Sequence, residues 1–572
     1  AAMNNAQVAA AFDEMADILE FQGANQFRVR AYRNAARTLM DLGEQLATVV
    51  AEERPLTDIQ GIGKDLAEKI KTLLATGDLK QWKELREQVP ASVLALMRVP
   101  GMGPKKAAVL HKELGIQNLD MLRAACEQQK VRELKGFGAK TEEQILKGLD
   151  FAATTTARFL WKQADDYAQS LREHLSSCPA IEKLELAGSY RRGKETVGDL
   201  DILVVSSNHQ QVMDRFAEYA GIADVLARGD TKMSVRLVKG LQVDLRVVPA
   251  ESFGAALQYF TGSKDHNVIL RGRAKAAGLK INEWGVFRGE ERVCGETEEE
   301  VYRALDLPWI PPELREARKE FDWADAGQLP QLITESDIRG DLHMHTTATD
   351  GKASLEEMAA AAKARGLSYI AITDHSKRVT MANGLNGPRL LEQWKQIDQL
   401  NEKLTGITLL KGVEVDILEK GGLDIEDEFL AHADWVVASV HYGQNQPRQQ
   451  ITDRILGALE NPYVCAIAHP TGRLLNARER YEVDLEAMFK SAKSQRKFLE
   501  LNATPNRLDL DDVACAAARD IGIPIVISTD AHSTEGLANL RYGILQARRA
   551  GLTKADVANT HTWKQMQKML GR

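Results

Sequence analysis

Along the first 150 residues, apolar side chains recur at helical spacing and few runs alternate as strands do. Ala10, Met15, Ile18 and Leu19 are one example, and positions spaced in this way form one face of a helix. From residue 181 the pattern changes to strand-like runs between helices, namely KLELAG, DLDILVV, MSVRLV and LQVDLRVV. The pattern predicts a helical N-terminal region followed by an α+β domain.

The C-terminal part shows a different alternation. Seven short apolar runs are separated mostly by helical stretches, at about 341, 369–372, 409–415, 435–440, 464–468, 498–501 and 523–528. This order predicts parallel strands joined by crossover helices, and hence a TIM-like (β/α)7 barrel. A charged stretch at 310–336 with Pro311, Pro312 and Pro330 precedes it, and we interpret that stretch as a linker or a connecting helix.

Composition excludes a chain that spans a membrane. Hydrophobic residues make up 44% and charged residues 27%, and no apolar run approaches the about 18 residues needed to cross a bilayer. No secretory signal is recognisable, and the five cysteines are scattered without a CxxC pair, so we expect a reduced, cytoplasmic protein. The net charge of −7 leaves a nucleic-acid partner open, since one acidic domain can mask basic groups in another.

Three segments of the helical region share one motif: an apolar residue, a G-x-G turn and an amphipathic helix. They are IQGIGKDLAEKI, VPGMGPKKAAVL and LKGFGAKTEEQIL. Such a turn lets backbone N–H groups approach a phosphate at a helix N-terminus, without reading base sequence. One G-x-G alone is more often a structural turn, but three copies favour DNA binding. The candidate DNA-binding residues are Gly61, Gly63, Gly101 and Gly103. For Gly136 and Gly138, a helix cap without a role in DNA binding is the alternative.

The segment GSYRRGKETVGDLDIL at 188–203 carries the strongest signal of the first half. Asp199 and Asp201 are two apart in a strand-like run, so their side chains leave the same face. Together with Asp244 on another strand they could hold a pair of Mg²⁺ or Mn²⁺ ions about 4 Å apart, the arrangement used in nucleotidyl transfer. A D-x-D pair alone is usually a solvated strand edge. The preceding Gly-Ser turn and the neighbouring Arg191 and Arg192 favour the catalytic interpretation.

This segment, and YFTGSKDHNVILRGRAKAAGLKINEW at 259–284, resemble the family X DNA polymerases over about 15–320. The resemblance implies that deoxynucleoside triphosphates are substrates, with the catalytic carboxylates above. It also implies roles in triphosphate, sugar or base-pair contact for Arg158, Gly188, Ser189, Arg192, Gly198, Tyr259, Phe260, Gly262, Asn267 and Arg271. Val197 departs from the mammalian relatives, which commonly have a phosphate-binding serine there.

The N-terminal domain of such relatives carries a 5′-deoxyribose-phosphate lyase. Lys69 matches the position of its nucleophile, so it is a possible lyase residue in this chain. Two observations weigh against that role. Lys69 equally fits a solvated helix face. In addition, Asp65 replaces a basic neighbour of the relatives, whereas a Schiff-base lysine usually needs a depressed pKa.

A second cluster of polar residues follows the predicted barrel strands. Six of the twelve histidines lie at strand ends, which converge on one mouth of such a barrel. A lone histidine is usually structural, but a regular series mixed with carboxylates suits Zn²⁺, Mn²⁺ or Fe²⁺. The pattern resembles the polymerase and histidinol phosphatase (PHP) domain. The resemblance implies up to three metals, held by His343, His345, Asp350, His375, Glu414, His441, His469, Asp530 and His532 with Glu414 bridging, while Glu500 and Asn502 are candidates for supporting the mouth.

The fusion of the two parts resembles bacterial family X DNA polymerase of the PolX type. It implies a gap-filling repair polymerase with a metal-dependent nuclease, either a 3′–5′ exonuclease or an abasic-site endonuclease. Expected partners are gapped or nicked duplex and primer-template DNA, with no membrane, and the chain is expected to be a monomer. A small-molecule phosphatase or pyrophosphatase in the C-terminal domain, and a DNA-end-binding scaffold, are the alternatives.

We predict six segments on this basis. They are an N-terminal helical, lyase-like domain at 1–95, a fingers-type helix-hairpin-helix domain at 96–150, a palm at 151–250, a thumb at 251–316, a linker at 317–337 and the PHP domain at 338–572.

Overall fold

The computed structural model describes residues 3–40, 42, 44–155 and 158–572. Two compact units divide the chain. The first comprises 1–186, 196–250 and 476–478, and the second comprises 187–195, 251–475 and 479–572. Within the described ranges, no helix combines the length and the apolar character that crossing a bilayer would require.

The first unit begins with a helical region, as the spacing of apolar residues predicts. Met15 and Ile18 are fully buried in its core, and Asn4 caps the first helix by accepting a hydrogen bond from the backbone N–H of Gln7. Its helices are α1 (Asn5–Phe21), α2 (Gln26–Met40), α3 (Leu46–Ala51), α4 (Lys64–Thr76), α5 (Lys80–Gln88), α6 (Ala91–Met97), α7 (Gly103–Leu114), α8 (Leu119–Glu127) and α9 (Ala139–Thr155).

The α+β part of the first unit is a five-stranded sheet in the order β2-β4-β7-β6-β5. Strands β4 and β7 are parallel neighbours, and the other pairs are antiparallel. Four strands coincide with the predicted runs, whereas β5, which is largely exposed, was not predicted. The elements are β1 (Phe159–Leu160), α10 (Trp161–Ser176), β2 (Ile181–Leu186), β3 (Thr196–Val197), β4 (Asp199–Ser206), α12 (His209–Ala217), β5 (Ile222–Arg228), β6 (Lys232–Leu237) and β7 (Gln242–Val247).

The second unit contains a small helical subdomain with a three-stranded antiparallel sheet in the order β10-β9-β8. The charged stretch that follows carries a short helix, α16, whose Phe321 is buried. The elements are α11 (Gly188–Arg191), α13 (Phe253–Thr261), α14 (Lys264–Ala276), β8 (Lys280–Asn282), β9 (Gly285–Arg288), β10 (Glu291–Cys294), α15 (Glu298–Arg303) and α16 (Glu320–Asp325).

His266 lies in the core of this subdomain, between Glu320 and Tyr302. Its Nδ1 is 2.8 Å from Glu320 Oε2, and its Nε2 is 2.9 Å from the Tyr302 hydroxyl. Burial lowers the pKa of His266, although the hydrogen bond to Glu320 opposes that shift. The imidazole is therefore favoured as the neutral form in the folded state.

We expect this histidine to make the protein less stable in acid. Because its pKa is lower folded than unfolded, the unfolded chain binds the proton first as the pH falls below about 6.5. Stability should then fall by up to about 1.4 kcal/mol per pH unit from this group alone. Urea denaturation of wild type and His266→Gln between pH 8 and 5 measures it. The variant should show the shallower pH dependence, and equal slopes would contradict the assignment.

The rest of the second unit is a barrel of seven parallel strands in sequence order, as predicted. A parallel bridge between Met344 and Ala531 brings its ends together, so the barrel is nearly closed. The strands are β11 (Gly340–Asp341), β12 (Tyr369–Ile372), β13 (Thr408–Asp416), β14 (Trp435–Ser439), β15 (Ala466–Ile467), β16 (Phe498–Asn502) and β17 (Ile525–Ser528). The helices are α17 (Leu355–Ala364), α18 (Gly387–Lys403), α19 (Asp427–Leu430), α20 (Arg448–Glu460), α21 (Leu485–Ser494), α22 (Asp512–Ile521), α23 (Leu540–Arg549) and α24 (Trp563–Met569).

Candidate active sites

Glu414, near the carboxyl end of β13, is the centre of the histidine cluster at the barrel mouth. Five imidazoles lie around its two buried oxygens. Oε1 is 3.0 Å from His343 Nε2, 3.3 Å from His345 Nε2 and 3.5 Å from His375 Nδ1, while Oε2 is 3.3 Å from His441 Nε2 and 3.2 Å from His469 Nε2. A single carboxylate placed in this way can bridge cations that are held by different histidines.

The mouth residues form three groups whose possible ligand atoms lie within 4.8 Å of one another. The groups are His345, Asp350, His375 and His532; His343, His345, Glu414 and Asp530; and His375, Glu414 and His441. His469 belongs to none of the three, but it contacts Glu414. The structure therefore brings together all nine residues that the sequence predicts as ligands.

The charges in this cluster depend on one another. Burial opposes ionisation of Glu414, but the neighbouring histidines, His343 first among them, hold the pKa of that carboxyl well below its usual range. Burial also disfavours charge on His345, yet hydrogen bonds to Asp530 and Glu414 raise its pKa to about 10. For His469, burial dominates and lowers the pKa to about 3. The neighbouring positive groups thus keep the acids of the cluster ionised.

Unpaired nitrogens test whether cations fit this cluster. The Nδ1 atoms of His345, His375 and His469 are buried without a hydrogen-bond partner among the described residues. A buried polar atom without a partner is costly, and coordination by imidazole nitrogen and carboxylate oxygen would satisfy it. The donor set therefore fits divalent metals of the Zn²⁺, Mn²⁺ or Fe²⁺ type.

Further carboxylates and an amide hold the ligands from behind. Glu500 Oε2 is 2.6 Å from His343 Nδ1, and the Asn502 amide donates to Glu500 and to Asp530 at 2.9 and 3.0 Å. The sequence indicated both residues. Asp416, which is not among the residues predicted from the sequence, is 2.8 Å from His441 Nδ1. Its position two residues after Glu414 in one strand was the available signal, because alternate residues share a face.

Asp374, unlike its neighbour His375, is bound by hydrogen bonds to the loop after β11 and is not part of the three groups. It accepts hydrogen bonds from the backbone and hydroxyl of Thr346, at 2.8 and 2.6 Å, and from the Gln393 amide at 2.7 Å. These contacts fix the loop after β11, which carries the neighbouring ligands. Asp374 is thus a support for this loop.

The palm carboxylates lie on neighbouring parallel strands of the first unit. Asp201 of β4 is opposite Asp244 of β7, and Asp199 is opposite Gln242. Ser234 and Gln242 both donate hydrogen bonds to Asp244. Burial, together with repulsion from Asp199 and Asp244, raises the pKa of Asp201 to about 7. A group of acids that resist ionisation together is a donor set that divalent cations would stabilise.

The three acids are more widely spread than the barrel groups. Among the residues that the structure describes, they do not form a set with all ligand atoms within 4.8 Å. Arg158 lies beside them: its guanidinium donates to the hydroxyl and carbonyl oxygens of Thr196 at 2.8 Å, and a side chain at Gly198 would lie 3.2 Å from its Nη1. Val197 is buried, and its apolar side chain offers no hydrogen bond here.

The predicted triphosphate turn, with Gly188, Ser189 and Arg192, belongs to the second unit. The Arg192 guanidinium donates to Glu316 Oε1 at 2.6 Å and to the Thr261 carbonyl at 2.7 Å. A side chain at Gly262 would lie 3.2 Å from Arg192 Nη1. The turn and the start of the second polymerase-like segment are therefore in contact.

The remaining predicted nucleotide contacts lie on α13 and α14. The rings of Tyr259 and Phe260 meet edge to face at 5.0 Å. Asn267 is buried, donates to the Tyr259 carbonyl at 2.9 Å and accepts from the Gln258 amide at 2.7 Å. Arg271 is exposed. Asn267 thus has its amide bound within the subdomain, whereas Arg271 is open to a ligand.

The three paired-Gly segments share one backbone hydrogen bond and the conformation of their first glycine. In each, the residue before the second glycine donates its N–H to the apolar residue that opens the motif: Ile62 to Ile59, Met102 to Val99 and Phe137 to Leu134, at 2.9–3.0 Å. The first glycines, Gly61, Gly101 and Gly136, have φ of +84°, +83° and +87°, which disfavours other residues. The third segment therefore repeats the geometry of the first two.

The glycines of the first two turns differ in whether they can be replaced without straining the backbone. Gly101 and Gly103 have positive φ, so larger residues would strain the backbone, whereas Gly63 has a φ of −85° and nothing within 4 Å of an added Cβ. We expect Gly63→Leu to fold and to weaken DNA binding about tenfold for every sequence, the loss of roughly one charge-assisted hydrogen bond. Gel-shift titration measures this, with Gly457→Leu as the control at an equally open barrel site. Unchanged affinity of a folded Gly63→Leu protein would make this turn merely structural.

Lys69 has the environment of a protonated lysine. It pairs with Asp65 one helical turn earlier, and its ammonium lies 5.6 Å from the centre of the Tyr32 ring. Burial disfavours its charge, but hydrogen bonds to Asp65 and Tyr32 raise its pKa on balance. A Schiff-base nucleophile needs the neutral amine, so this environment disfavours the lyase role.

Comparison with known protein families agrees with this geometry. Family models match as a helix-hairpin-helix domain at 3–79, a SAM-like helix-hairpin-helix tandem at 93–150, a DNA polymerase beta palm at 162–250, a DNA polymerase beta thumb at 256–316 and a PHP domain at 341–504. Fold and sites together define a polymerase of the beta type joined to a PHP domain.

Along its whole length the chain is 40% identical to the DNA polymerase/3'-5' exonuclease PolX of Bacillus subtilis, with 100% of both chains covered. The chain therefore belongs to the PolX family. Further similar proteins match a smaller part of the chain, and among them are proteins named probable phosphatases. One from Thermoanaerobacter sp. is 30% identical over 39% of this chain and 91% of its own length, and one from Acetivibrio thermocellus is 33% identical over 34% and 78%.

Proposed function

We propose that this chain fills short DNA gaps in repair, including base excision repair, and that its barrel cuts DNA. The main support for this proposal is the placement of Asp199, Asp201 and Asp244 on two adjacent palm strands. Support comes from three similar backbone turns that suit phosphate, and from family membership over the full chain. Extension of a primer across a gapped duplex by the purified wild-type chain tests the proposal. A scaffold would bind the same DNA without extending it.

In the palm, Asp199, Asp201 and Asp244 would hold two Mg²⁺ or Mn²⁺ ions. Such ions, when bound, acidify the primer 3′-hydroxyl and neutralise the triphosphate and leaving pyrophosphate. A deoxynucleoside triphosphate is the proposed substrate. Ser189 and Arg192 are proposed to bind its phosphates, and Arg192 must exchange its bond to Glu316 for a phosphate oxygen.

Selection of the incoming nucleotide is assigned to the thumb. Tyr259, Phe260 and Gly262 would line the sugar pocket and disfavour a ribose 2′-hydroxyl. Arg271 is exposed and could reach the template, whereas the amide bonds of Asn267 make it a support for Tyr259 as well as a candidate base-pair contact.

At the barrel mouth, the nine predicted ligands would hold up to three Mn²⁺, Zn²⁺ or Fe²⁺ ions. Such ions, when bound, polarise a phosphodiester and acidify the attacking water. Glu500, Asn502 and Asp416 orient the ligands by the hydrogen bonds described above. The Bacillus relative is named a 3'-5' exonuclease, so we propose this polarity, with an abasic-site endonuclease as the other nuclease activity to examine.

A second candidate for the barrel is a phosphatase, favoured by its similarity to proteins named probable phosphatases. A phosphomonoester and end-labelled DNA, offered to the same metal-loaded preparation, separate the two. Faster DNA cutting supports the nuclease, and turnover of the monoester alone supports the phosphatase. We also propose a cytoplasmic location and a monomer.

A further inference from the structure

The predicted triphosphate turn is packed directly on a helix of the PHP barrel, α23. The Gly193 carbonyl accepts a hydrogen bond from the Gln546 amide at 2.8 Å, and the Arg192 carbonyl accepts one from Arg549 at 2.9 Å. A Cβ at Gly193, which has a φ of +74°, would lie 2.6 Å from Leu545. Only glycine therefore allows this close approach. Contacts from Leu545, Gln546 and Arg549, which lie within about one helical turn, fix the end of the motif to the barrel.

A shared carboxylate connects the same helix to the side chain of Arg192. Glu316 Oε1 accepts from Arg192 Nε at 2.6 Å and from Arg549 Nη1 at 3.2 Å. The Arg549 side chain is 3% exposed and is held from behind by Asp512 at 3.0 Å. Little water competes at these groups, so each pairing affects the other strongly.

Gln546 gives independent support, because the barrel itself gains little from it. The side chain is 1% exposed, and its Oε1 has no hydrogen-bond partner among the described residues. Its one side-chain hydrogen bond within the described chain goes to Gly193. A buried glutamine that is half satisfied costs stability, so its bond to the turn is the feature that explains it.

We propose that Gln546 and Arg549 are positioning residues for nucleotide addition, supplied to the polymerase half by the PHP barrel. This rests on the proposed role of Arg192 in binding the triphosphate. Arg549 shares the charge of Glu316, which leaves Arg192 able to exchange that carboxylate for a phosphate. Without Arg549, Glu316 pairs with Arg192 alone and competes with the nucleotide more strongly.

The test is steady-state gap filling by the full chain with each deoxynucleoside triphosphate. We expect Arg549→Met to raise KM about tenfold, the effect of one charge-assisted contact, and Gln546→Met about threefold, with kcat within about twofold of wild type. Arg549→Lys should recover part of the loss, since it keeps the charge. DNA cutting should be unchanged, which shows that the barrel is folded.

Arg548→Met is the matched control. It is the next residue of the same helix and pairs with Glu313 at 2.6 Å, but no contact joins it to the turn in the described chain. Its KM should equal that of wild type. A rise in KM of similar size in Arg548→Met would point to a general loss of packing and would overturn the proposal.

Arg192→Ala separates the proposed role of Arg192 from the positioning role of Gln546 and Arg549. If it raises KM while Arg549→Met and Gln546→Met do not, the positioning role is wrong and the role of Arg192 stands. If Arg192→Ala leaves KM unchanged, both are wrong. In the Arg192→Ala background, Arg549→Met should add nothing, because residues that act through one another are not additive.

Discussion

Glu414→Gln is expected to lose bound metal and DNA cutting together. The glutamate oxygens contact five histidines, and the amide that replaces one oxygen would direct N–H groups at imidazoles or cations. Loss of an anion that serves more than one cation costs several kcal/mol, which corresponds to about 10³-fold or more in rate. The experiment measures metal content, cutting of labelled DNA and gap filling on one preparation.

A graded control sharpens that result. Asp416→Asn removes a partner of one ligand only, His441, so we expect a loss of about 10–100-fold. Gap filling should persist in both variants, because the palm has its own carboxylates. Normal cutting by metal-depleted Glu414→Gln would refute a metal-dependent nuclease at the barrel mouth.

Replacing Asp199 and Asp201 by alanine is expected to abolish nucleotide addition while metal-dependent cutting survives. Both residues share one face of β4 opposite the strand of Asp244, and one remaining carboxylate cannot hold two ions. We expect a loss of at least about 10³-fold in primer extension on a gapped duplex. Because the pKa of Asp201 is raised to about 7 by burial and by its acidic neighbours, removing these charges should not unfold the palm.

The nearly isosteric Asp199→Asn/Asp201→Asn protein is the matched control for volume. It should be equally inactive, and Mg²⁺ should raise the melting temperature of wild type more than that of either variant. Substantial extension by the double mutants would contradict the assignment. Cutting that disappears with the palm carboxylates would instead place the nuclease in the palm.

Several features of the sites could be predicted from short segments. The i, i+2 spacing of Asp199 and Asp201 places both on one strand face, and the repeated G-x-G spacing predicts three similar turns. Their signals are local, because backbone geometry relates neighbours in sequence by fixed rules. The exposed strand β5 was not predicted, because its burial pattern lacks the alternation that identifies a half-buried strand.

Contacts between distant segments were not predictable in this way. Asp416 and His441 meet only because β13 and β14 are neighbours in register. The pairing of Glu316 with both Arg192 and Arg549 joins three segments that nothing in their composition connects. The sequence suggested Arg192 as a phosphate ligand, and the structure shows that its guanidinium is bound to Glu316.

The sequence by itself determined the order of elements, the helical, α+β and barrel parts, and the residue types available at each strand end. Hydrophobic periodicity fixes those, since it reflects which face of each element is buried. Only the tertiary structure decided that five histidines surround Glu414 and that α23 contacts the turn that ends at Gly193. Such contacts depend on strand register and packing between segments far apart in the chain, which local pattern does not specify.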